Sequence, residues 1–339
     1  MKGRIFVIGA SHGGIEALSK LFGQIPADFP APIFVTQHIG ADSLGGLPRI
    51  LGRAGKLPVA HPANMEIIQS GKVYVAPPDS HMLVQRGYVW LSRGPRENHT
   101  RPAIDPLFRS AASAYGPAVV GVVLTGHLDD GRSGLMAIKD RGGIAVVQDP
   151  VEALAPSMPR SAQAHVCIDH CCKLTEMGKP LVNFADDDPS DHVSDANALI
   201  DVETRIAGGD FDLKDWFDFE KQSFPSGLGC PDCGGALFEV RDNRILRFRC
   251  RAGHAFTARC LLQELARSTD SRFASIFGAL IEEASLAKRL SNRGLDRSVD
   301  SLTDLAERIS QIEHQAVQIG HWLRSCSDWQ NTANTFLIH

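Results

Sequence analysis

The chain has 339 residues, of which 43% are hydrophobic and 22% charged, proportions typical of a soluble globular protein. This length exceeds what a single core usually supports, so at least two domains are expected. The formal net charge of −4 disfavours a general nucleic-acid-binding protein, and no apolar stretch is long enough to cross a membrane. The expected location is the cytoplasm, where the eight cysteines are better interpreted as thiols or metal ligands than as disulfides.

Short apolar runs alternate with helix-like segments in the first half of the chain. This pattern predicts an α/β fold with a doubly wound, mostly parallel sheet. The predicted strands are Arg4–Ile8, Ile33–Gln37, Val73–Ala76, Val119–Leu124 and Ile144–Val147. The run Val73–Ala76, taken with Met82–Val84 and Tyr88–Leu91, also fits an antiparallel insertion.

The first predicted strand runs directly into a glycine-rich turn at Gly9–Gly14, and a helix-like segment follows. The turn has the pattern G-x-S-x-G, typical of a nucleophile elbow with Ser11 at its tip. Glycines permit the tight backbone path, and the helix start offers unpaired N–H groups to an oxyanion. From this stretch alone, a phosphate-binding loop and a plain tight turn remain open, although a strict G-x-G-x-x-G is absent.

Two other predicted strands end in residues able to complete a catalytic triad. His38 follows the second strand, and Asp130 lies in the turn after Val119–Leu124. Ligands of open α/β sheets bind beyond the carboxyl ends of the strands, so Ser11, His38 and Asp130 are expected at one edge. An imidazole accepts the serine proton and a buried carboxylate orients the imidazole. A structural histidine and a turn aspartate remain open alternatives.

Several spaced motifs within residues 4–180 resemble the catalytic domain of the protein-glutamate methylesterases of the CheB type. The resemblance covers about half of the chain. The motifs that carry it are Ile8–Gly14, Gln37-His38, Gly71–Pro78, Arg101–Ser110, Leu124–Gly131, Gln148–Pro150 and Pro156–Pro159.

The resemblance implies a serine-type hydrolase with Ser11 as nucleophile, His38 as general base and Asp130 as its orienting partner. Members of the family hydrolyse the methyl ester of a receptor glutamate through an acyl-enzyme, and some deamidate glutamine. Methylated receptor helices are then the protein substrate. Backbone N–H groups near His38 and His127 resemble the oxyanion hole of the family. A catalytically weak or inactive signalling scaffold with the same fold remains the alternative.

Three features depart from the family pattern. His12 stands where a small residue or threonine is usual, and His127 stands where methionine is common. Both histidines are expected to line the cleft. Better-known members also carry an N-terminal receiver domain, whereas the first predicted strand here starts at Arg4, so a receiver-free member is expected.

Composition changes after the predicted catalytic domain, residues 1–185, and a polar linker is predicted over residues 186–227. A zinc-ribbon-like module follows over residues 228–262, with predicted strands at Ala236–Val240 and Arg244–Arg249. Its C-x-x-C and C-x-x-x-H pairs have the spacing of a tetrahedral structural zinc site, so zinc is expected to stabilise the fold and no cofactor is expected for catalysis. The predicted ligands are Cys230, Cys233, Cys250 and His254, with Cys260 as the alternative fourth ligand. A redox dithiol and reduced buried thiols remain open.

The last predicted region, residues 263–339, is a helical hairpin or a coiled-coil-like tail. An apolar seam with steps of three and four predicts one packed helix face. The seam consists of Leu302, Leu305, Ile309, Ile312, Ala316, Ile319 and Leu323. Docking of other signalling proteins to this tail is an open alternative, whereas neither nucleic-acid binding nor membrane insertion is expected.

Overall fold

The structure, a computed structural model, describes residues 3–189, 198–293 and 306–322. Contacts divide the chain into two units, Met1–Leu261 and Leu262–His339. Within the described ranges, every helix is too short or too polar to span a lipid bilayer.

The first unit is built on a seven-stranded sheet in which all neighbouring strands are parallel, in the order β10-β9-β8-β1-β2-β5-β3. A separate antiparallel sheet has the order β4-β7-β6. The strands of this region are β1 (Ile5–Ala10), β2 (Ile33–Gln37), β3 (Val59–Ala60), β4 (Glu66–Ile67), β5 (Val73–Val75), β6 (His81–Gln85), β7 (Tyr88–Ser92), β8 (Val119–Val123), β9 (Ile144–Gln148) and β10 (His170–Cys172).

Helices cover both faces of the parallel sheet, which explains why its central strands are continuous apolar runs. Side chains alternate along β1, so Val7 packs in one core with Leu107, while Ile8 packs in the opposite core with Leu18. These helices are α1 (Gly14–Phe22), α2 (Leu47–Ala54), α3 (Ile104–Tyr115), α4 (Arg132–Asp140), α5 (Ser157–His165) and α6 (Gly178–Asp186). The predicted doubly wound, mostly parallel α/β fold is confirmed.

One strand prediction is wrong in its pairing. The run at Val73–Ala76 is no part of an antiparallel insertion, because Val73 pairs with Ile33 in the parallel sheet. The antiparallel sheet consists instead of β4, β6 and β7, with Leu83 opposite Trp90. The run Val73–Ala76 and the strands β6 and β7 are similarly apolar, so composition did not show which strands pair with one another.

The prediction of a polar linker over residues 186–227 does not hold for residues 198–227. This segment contains α7 (Ala198–Gly208) and α8 (Leu213–Glu220) and begins the next sheet. Leu199, Val202 and Ile206 of α7 are buried and pack in one cluster with Phe219 of α8. The acidic residues Asp186–Asp188, which precede this segment, favoured the linker interpretation over the helical apolar spacing that follows. Residues 190–197 lie outside the described ranges.

A second antiparallel sheet, here called the C-terminal sheet, completes the first unit. It has the order β11-β12-β13-β14. Its strands are β11 (Ser223–Gly229), β12 (Ala236–Val240), β13 (Arg247–Cys250) and β14 (Ala255–Thr257). The predicted strand Ala236–Val240 coincides with β12, and the strand predicted at Arg244–Arg249 begins three residues later, as β13.

The C-terminal region is helical, as predicted. Helix α9 spans Ala258–Arg293, and residues 306–322 form a further helical segment. The Phe273 and Trp322 rings lie 3.7 Å apart, and Arg308 pairs with Glu283. Of the predicted seam, Ile312 and Ala316 are buried. The seam residues Leu302, Leu305 and Leu323 lie outside the described residues.

Candidate active site

The structure brings the three predicted triad residues together at the carboxyl edge of the parallel sheet. Ser11 follows β1, His38 follows β2, and Asp130 lies in the turn between β8 and α4. His38 Nδ1 lies 3.1 Å from Ser11 Oγ, and His38 Nε2 lies 2.7 Å from Asp130 Oδ2. The Asp130 side chain is 4% exposed and that of His38 is 15% exposed. The arrangement is a continuous hydrogen-bonded chain that leads from solvent to a buried carboxylate.

Glycines and Gln37 shape the turn that carries Ser11. Gly13 adopts φ 75°, a left-handed conformation that favours glycine. Gly14 packs so closely that an added Cβ would lie 2.0 Å from the Gln37 side-chain oxygen. The Gln37 amide donates to the Ser11 carbonyl oxygen at 2.7 Å and to the His38 carbonyl oxygen at 3.0 Å. One buried side chain therefore ties the serine turn to the histidine loop.

The Asp130 carboxylate accepts hydrogen bonds from several groups besides His38. The Ile104 N–H, in the first turn of α3, lies 2.7 Å from Oδ2, and the Asn98 side-chain amide lies 3.0 Å from Oδ1. Burial by itself would raise the pKa of Asp130, but the hydrogen bonds from His38, Ile104 and Asn98 hold it at about 2. Asp130 is therefore an anion at neutral pH. Sequence reasoning missed Asn98, because nothing in the local pattern indicates its partner.

The neighbouring Asp129 has different partners. It pairs with Arg132 at 2.8 Å and accepts a hydrogen bond from the Thr257 hydroxyl at 2.6 Å. Burial raises the pKa of Asp129. Only the second of the two consecutive aspartates thus contacts His38.

A further buried carboxyl group, that of Asp105, lies next to the triad. It accepts a hydrogen bond from the Gly134 N–H at 2.6 Å and lies 3.4 Å from the Asn98 amide. Burial, together with the negative charge of Asp130, raises the pKa of Asp105 well above its ordinary value. The Asn98 amide therefore lies between two carboxyl groups whose pKa values are shifted in opposite directions, down for Asp130 and up for Asp105.

The two unusual histidines lie beside each other at the mouth of the site. Their ring centroids are 4.9 Å apart, and both side chains are exposed. Partial desolvation and the proximity of His12 lower the pKa of His127. Gly126 places His127 next to the nucleophile, since an added Cβ at Gly126 would lie 2.8 Å from Ser11 Cβ.

The backbone N–H groups around Ser11 differ in availability. The His38 N–H donates to the Ala10 carbonyl oxygen at 3.0 Å, so it does not face a substrate. Among the described residues, no protein group accepts the N–H of His12 or of His127. His12 directly follows Ser11 in the chain, and His127 directly follows Gly126, which packs against Ser11.

The four predicted metal ligands also come together, in the C-terminal sheet. The ligand atoms of Cys230, Cys233, Cys250 and His254 all lie within 4.8 Å of one another. Cys233 Sγ lies 3.6 Å from Cys250 Sγ, and His254 Nδ1 lies 3.5 Å from Cys250 Sγ and 3.8 Å from Cys230 Sγ. Tetrahedral zinc with ordinary bond lengths has ligand separations of about 3.6–3.8 Å, so the four residues fit this metal. Cys260, the alternative ligand, lies outside the group.

A buried ion-pair network lies between the C-terminal sheet and the region before α3. Arg249 contacts both Glu97 and Glu203 at 3.0 Å. Arg109 pairs with Glu97 at 2.6 Å, and Arg247 pairs with Glu203 at 2.5 Å. Burial opposes ionisation of Glu203, but the charges of Arg247 and Arg249 lower its pKa. Both arginines of β13, Arg247 and Arg249, are therefore engaged with buried carboxylates.

Comparisons with known proteins identify relatives of the first part of the chain. The profile of the CheB methylesterase family matches residues 6–181. The crystal structure of the Thermotoga maritima CheB methylesterase catalytic domain is 31% identical, with a TM-score of 0.52 over 54% of this chain and 99% of that one.

Three curated relatives show the same relationship in sequence. A Leptospira interrogans protein, named provisionally as a protein-glutamate methylesterase/protein-glutamine glutaminase, is 41% identical over 52% of this chain and 93% of its own length. The Anaeromyxobacter dehalogenans protein-glutamate methylesterase/protein-glutamine glutaminase 2 is 37% identical over 52% of each chain. Protein-glutamate methylesterase FrzG of Myxococcus xanthus is 36% identical over 54% of this chain and 55% of its own. With the family profile matched over half of its length, the chain belongs to the CheB methylesterase family.

Proposed function

We propose that this protein hydrolyses the methyl esters of glutamate side chains on chemotaxis-type receptors, and that the same site deamidates receptor glutamines. The observation that carries the proposal is the hydrogen-bonded chain from Ser11 through His38 to Asp130. The names of the relatives support the choice of substrate.

In the proposed reaction, His38 accepts the hydroxyl proton while Ser11 Oγ attacks the ester carbonyl carbon. The tetrahedral intermediate collapses as the bond to the methoxy oxygen breaks, and His38 transfers its proton to the departing methanol. Water then attacks the acyl-enzyme in the same manner, which releases the glutamate carboxylate and restores Ser11. Asp130, ionised and held by several donors, orients His38 and stabilises its protonated form.

The N–H groups of His12 and His127 are the proposed oxyanion donors. His12 follows Ser11 in the chain, His127 follows a glycine that packs against Ser11, and the two N–H groups have no protein acceptor among the described residues. The residue after a nucleophile commonly supplies one such donor. Donors held in advance stabilise the developing oxyanion by several kcal/mol in acyl transfer.

We also propose that Cys230, Cys233, Cys250 and His254 bind a structural zinc ion. Three thiolates and an imidazole fill a tetrahedral shell, so the metal leaves no position for a substrate. Zinc bound there would stabilise the C-terminal sheet. The separations of the four ligand atoms support this proposal.

Methanol release from a methylated chemoreceptor cytoplasmic fragment tests the esterase. We expect release by the unsubstituted chain, none above background with Ser11→Ala, and a kcat about 10³–10⁴-fold lower with Asp130→Asn. Asp28→Asn is the matched control and should release methanol at the normal rate, because Asp28 is exposed and precedes β2, at the opposite end of that strand from His38. A folded, unsubstituted chain that releases no methanol would contradict the proposal and favour the scaffold alternative.

A further inference from the structure

Asn98 lies at the junction between the proposed triad and the C-terminal sheet. It belongs to a loop of residues 96–100, here called the Asn98 loop, which precedes α3. We propose that the C-terminal sheet positions groups of the active site, an inference that rests on the function proposed above. Through the Asn98 loop it orients the catalytic carboxylate, so metal bound in the sheet controls the reactivity of Ser11.

Strand β14 determines how the Asn98 side chain is oriented. The Thr257 N–H donates to the Asn98 side-chain oxygen at 2.9 Å. With the oxygen of the amide held there, its NH₂ group faces Asp130 Oδ1 at 3.0 Å. A contact to Thr257 thus selects which end of the amide reaches the triad. Asn98 is a positioning residue, since it acts on Ser11 only through Asp130 and His38.

Backbone hydrogen bonds also join the Asn98 loop to β14. The Asn98 N–H donates to the Ala255 carbonyl oxygen at 2.8 Å, and the Ala255 N–H donates to the Arg96 carbonyl oxygen at 3.2 Å. Asn98 adopts φ 50°, a left-handed conformation that asparagine tolerates better than most residues. The loop conformation that presents Asn98 is therefore supported directly by β14.

Side chains anchor the same loop on either side of Asn98. His99 Nδ1 lies 2.8 Å from Asp232 Oδ1, and Glu97 contacts the buried Arg249 guanidinium at 3.0 Å. Glu97 and Arg249 are 2% and 1% exposed, so water does not replace this contact.

Three of the residues in the C-terminal sheet that anchor the Asn98 loop are sequence neighbours of proposed metal ligands. Asp232 precedes Cys233, Arg249 precedes Cys250, and Ala255 follows His254. Metal coordination holds ligand backbones in one geometry, and small metal modules commonly lose their fold without the ion. Loss of the metal is therefore expected to displace all three anchors together and to release the Asn98 loop.

The rate at which a fluorophosphonate probe labels Ser11 tests this coupling without any receptor substrate. The variants are Asn98→Gly, which permits the left-handed conformation, Cys233→Ser, which removes an exposed ligand, and the double variant. We expect each single variant to label about tenfold more slowly, as for loss of one hydrogen bond to a charged group. The double variant should be no slower than Cys233→Ser, because both changes act on the same amide. The matched control is Cys167→Ser, because Cys167 is exposed and lies outside the metal group. This variant should be labelled at the normal rate.

Two measurements independent of activity accompany the labelling. Zinc content should be one ion per chain in the unsubstituted protein and in Asn98→Gly, and lost in Cys233→Ser. Hydrogen exchange over residues 94–104 should be faster in Cys233→Ser, since the Asn98 N–H loses its acceptor. With the methylated receptor fragment, Asn98→Gly should lower kcat and leave KM unchanged.

Several outcomes would overturn the coupling while leaving the esterase proposal intact. One is normal labelling by Asn98→Gly, and another is a Cys233→Ser protein that has lost zinc but keeps normal labelling and normal exchange. If Cys233→Ser does not fold, the labelling rate of the metal-loaded Asn98→Gly variant still tests the coupling. A slower rate supports it, and a normal rate overturns it. Absence of labelling in the unsubstituted protein would instead refute the triad chemistry, and the coupling with it.

Discussion

At the residue scale, Asp130 links the proposed chemistry to the stability of the fold. Its carboxylate accepts the N–H groups of Ile104 and Asp105 at the start of α3. The residue before this helix, Ala103, has no side chain that can cap it. Asp130 supplies the missing acceptor, and its negative charge lies favourably at the positive end of the helix dipole. The ionised state that the triad requires is therefore also the state that stabilises α3.

This dual role predicts how stability depends on pH. The pKa of Asp130 is about 2 in the folded protein against an ordinary value of 3.8, so the unfolded chain takes up the proton first as the pH falls. The stabilisation is full above about pH 4 and is lost as the pH falls toward about 2. We expect Asp130→Asn to lower the free energy of unfolding by about 2 kcal/mol near neutral pH and by about half as much near pH 3.

Urea denaturation of both proteins at several pH values measures this difference. Asp42→Asn, in an exposed loop, controls for the loss of one carboxylate from the net charge. A deficit in Asp130→Asn that is equal at pH 3 and pH 7 would show that ionisation of Asp130 does not stabilise the fold.

At the element scale, the turn from β1 to α1 depends on close packing against β2. Gly14, the first residue of α1, leaves no space for a side chain because Gln37 and Ala10 lie against its Cα. Gln37 in turn donates to the carbonyl oxygens of Ser11 and His38. The packing of Gly14 against Gln37 therefore closes the turn and also holds Ser11 and His38 in fixed positions relative to each other.

Gly14→Ala should damage both stability and activity. The new Cβ would lie 2.0 Å from the Gln37 side-chain oxygen, so the free energy of unfolding is expected to fall by about 2 kcal/mol. Methanol release should fall with it as Gln37 is displaced. Gly52→Ala, in α2, is the matched control, because the nearest atom to its Cβ is 4.0 Å away. It should raise stability by about 0.5–1 kcal/mol without affecting activity.

At the scale of the whole molecule, charged side chains join the family-matched region to the residues that follow it. Arg249 lies between Glu97, before α3, and Glu203, in α7, and all three are almost fully buried. Removing one member of such a network leaves an uncompensated charge in a site that water does not reach. Together with the packing of α7 and α8, this places residues 198–261 in the same unit as the parallel sheet.

Glu203→Gln should therefore be severely destabilising. We expect the free energy of unfolding to fall by about 3–5 kcal/mol, because Arg247 loses its buried partner and Arg249 loses one of its two. Glu220→Gln is the matched control, since Glu220 pairs with a largely exposed arginine, Arg251. There the expected change is within about 0.5 kcal/mol. Chemical denaturation of the two variants compares them, and similar stabilities would show that the buried network does not hold the unit together.

Features that depend only on neighbouring residues could be predicted from the amino-acid sequence. Continuous Val and Ile runs specify buried parallel strands, because both faces of such a strand meet apolar side chains. The spacing of glycines around Ser11 and of the cysteines at Cys230 and Cys233 is equally local. Each pattern records the geometry of a single turn, so these residues were identified without a structure.

Contacts between residues that are far apart in the chain became visible in the folded structure. Asn98 contacts Thr257, which lies 159 residues away in the sequence. The residues around Glu203 likewise give no indication that it is buried against Arg249. The same applies to Val73, whose apolar run suits a parallel or an antiparallel partner. Local periodicity states which side of an element is apolar, whereas the identity of a polar partner depends on how separate elements dock. That is why the proposed triad was found in the sequence and the groups that hold its carboxylate were not.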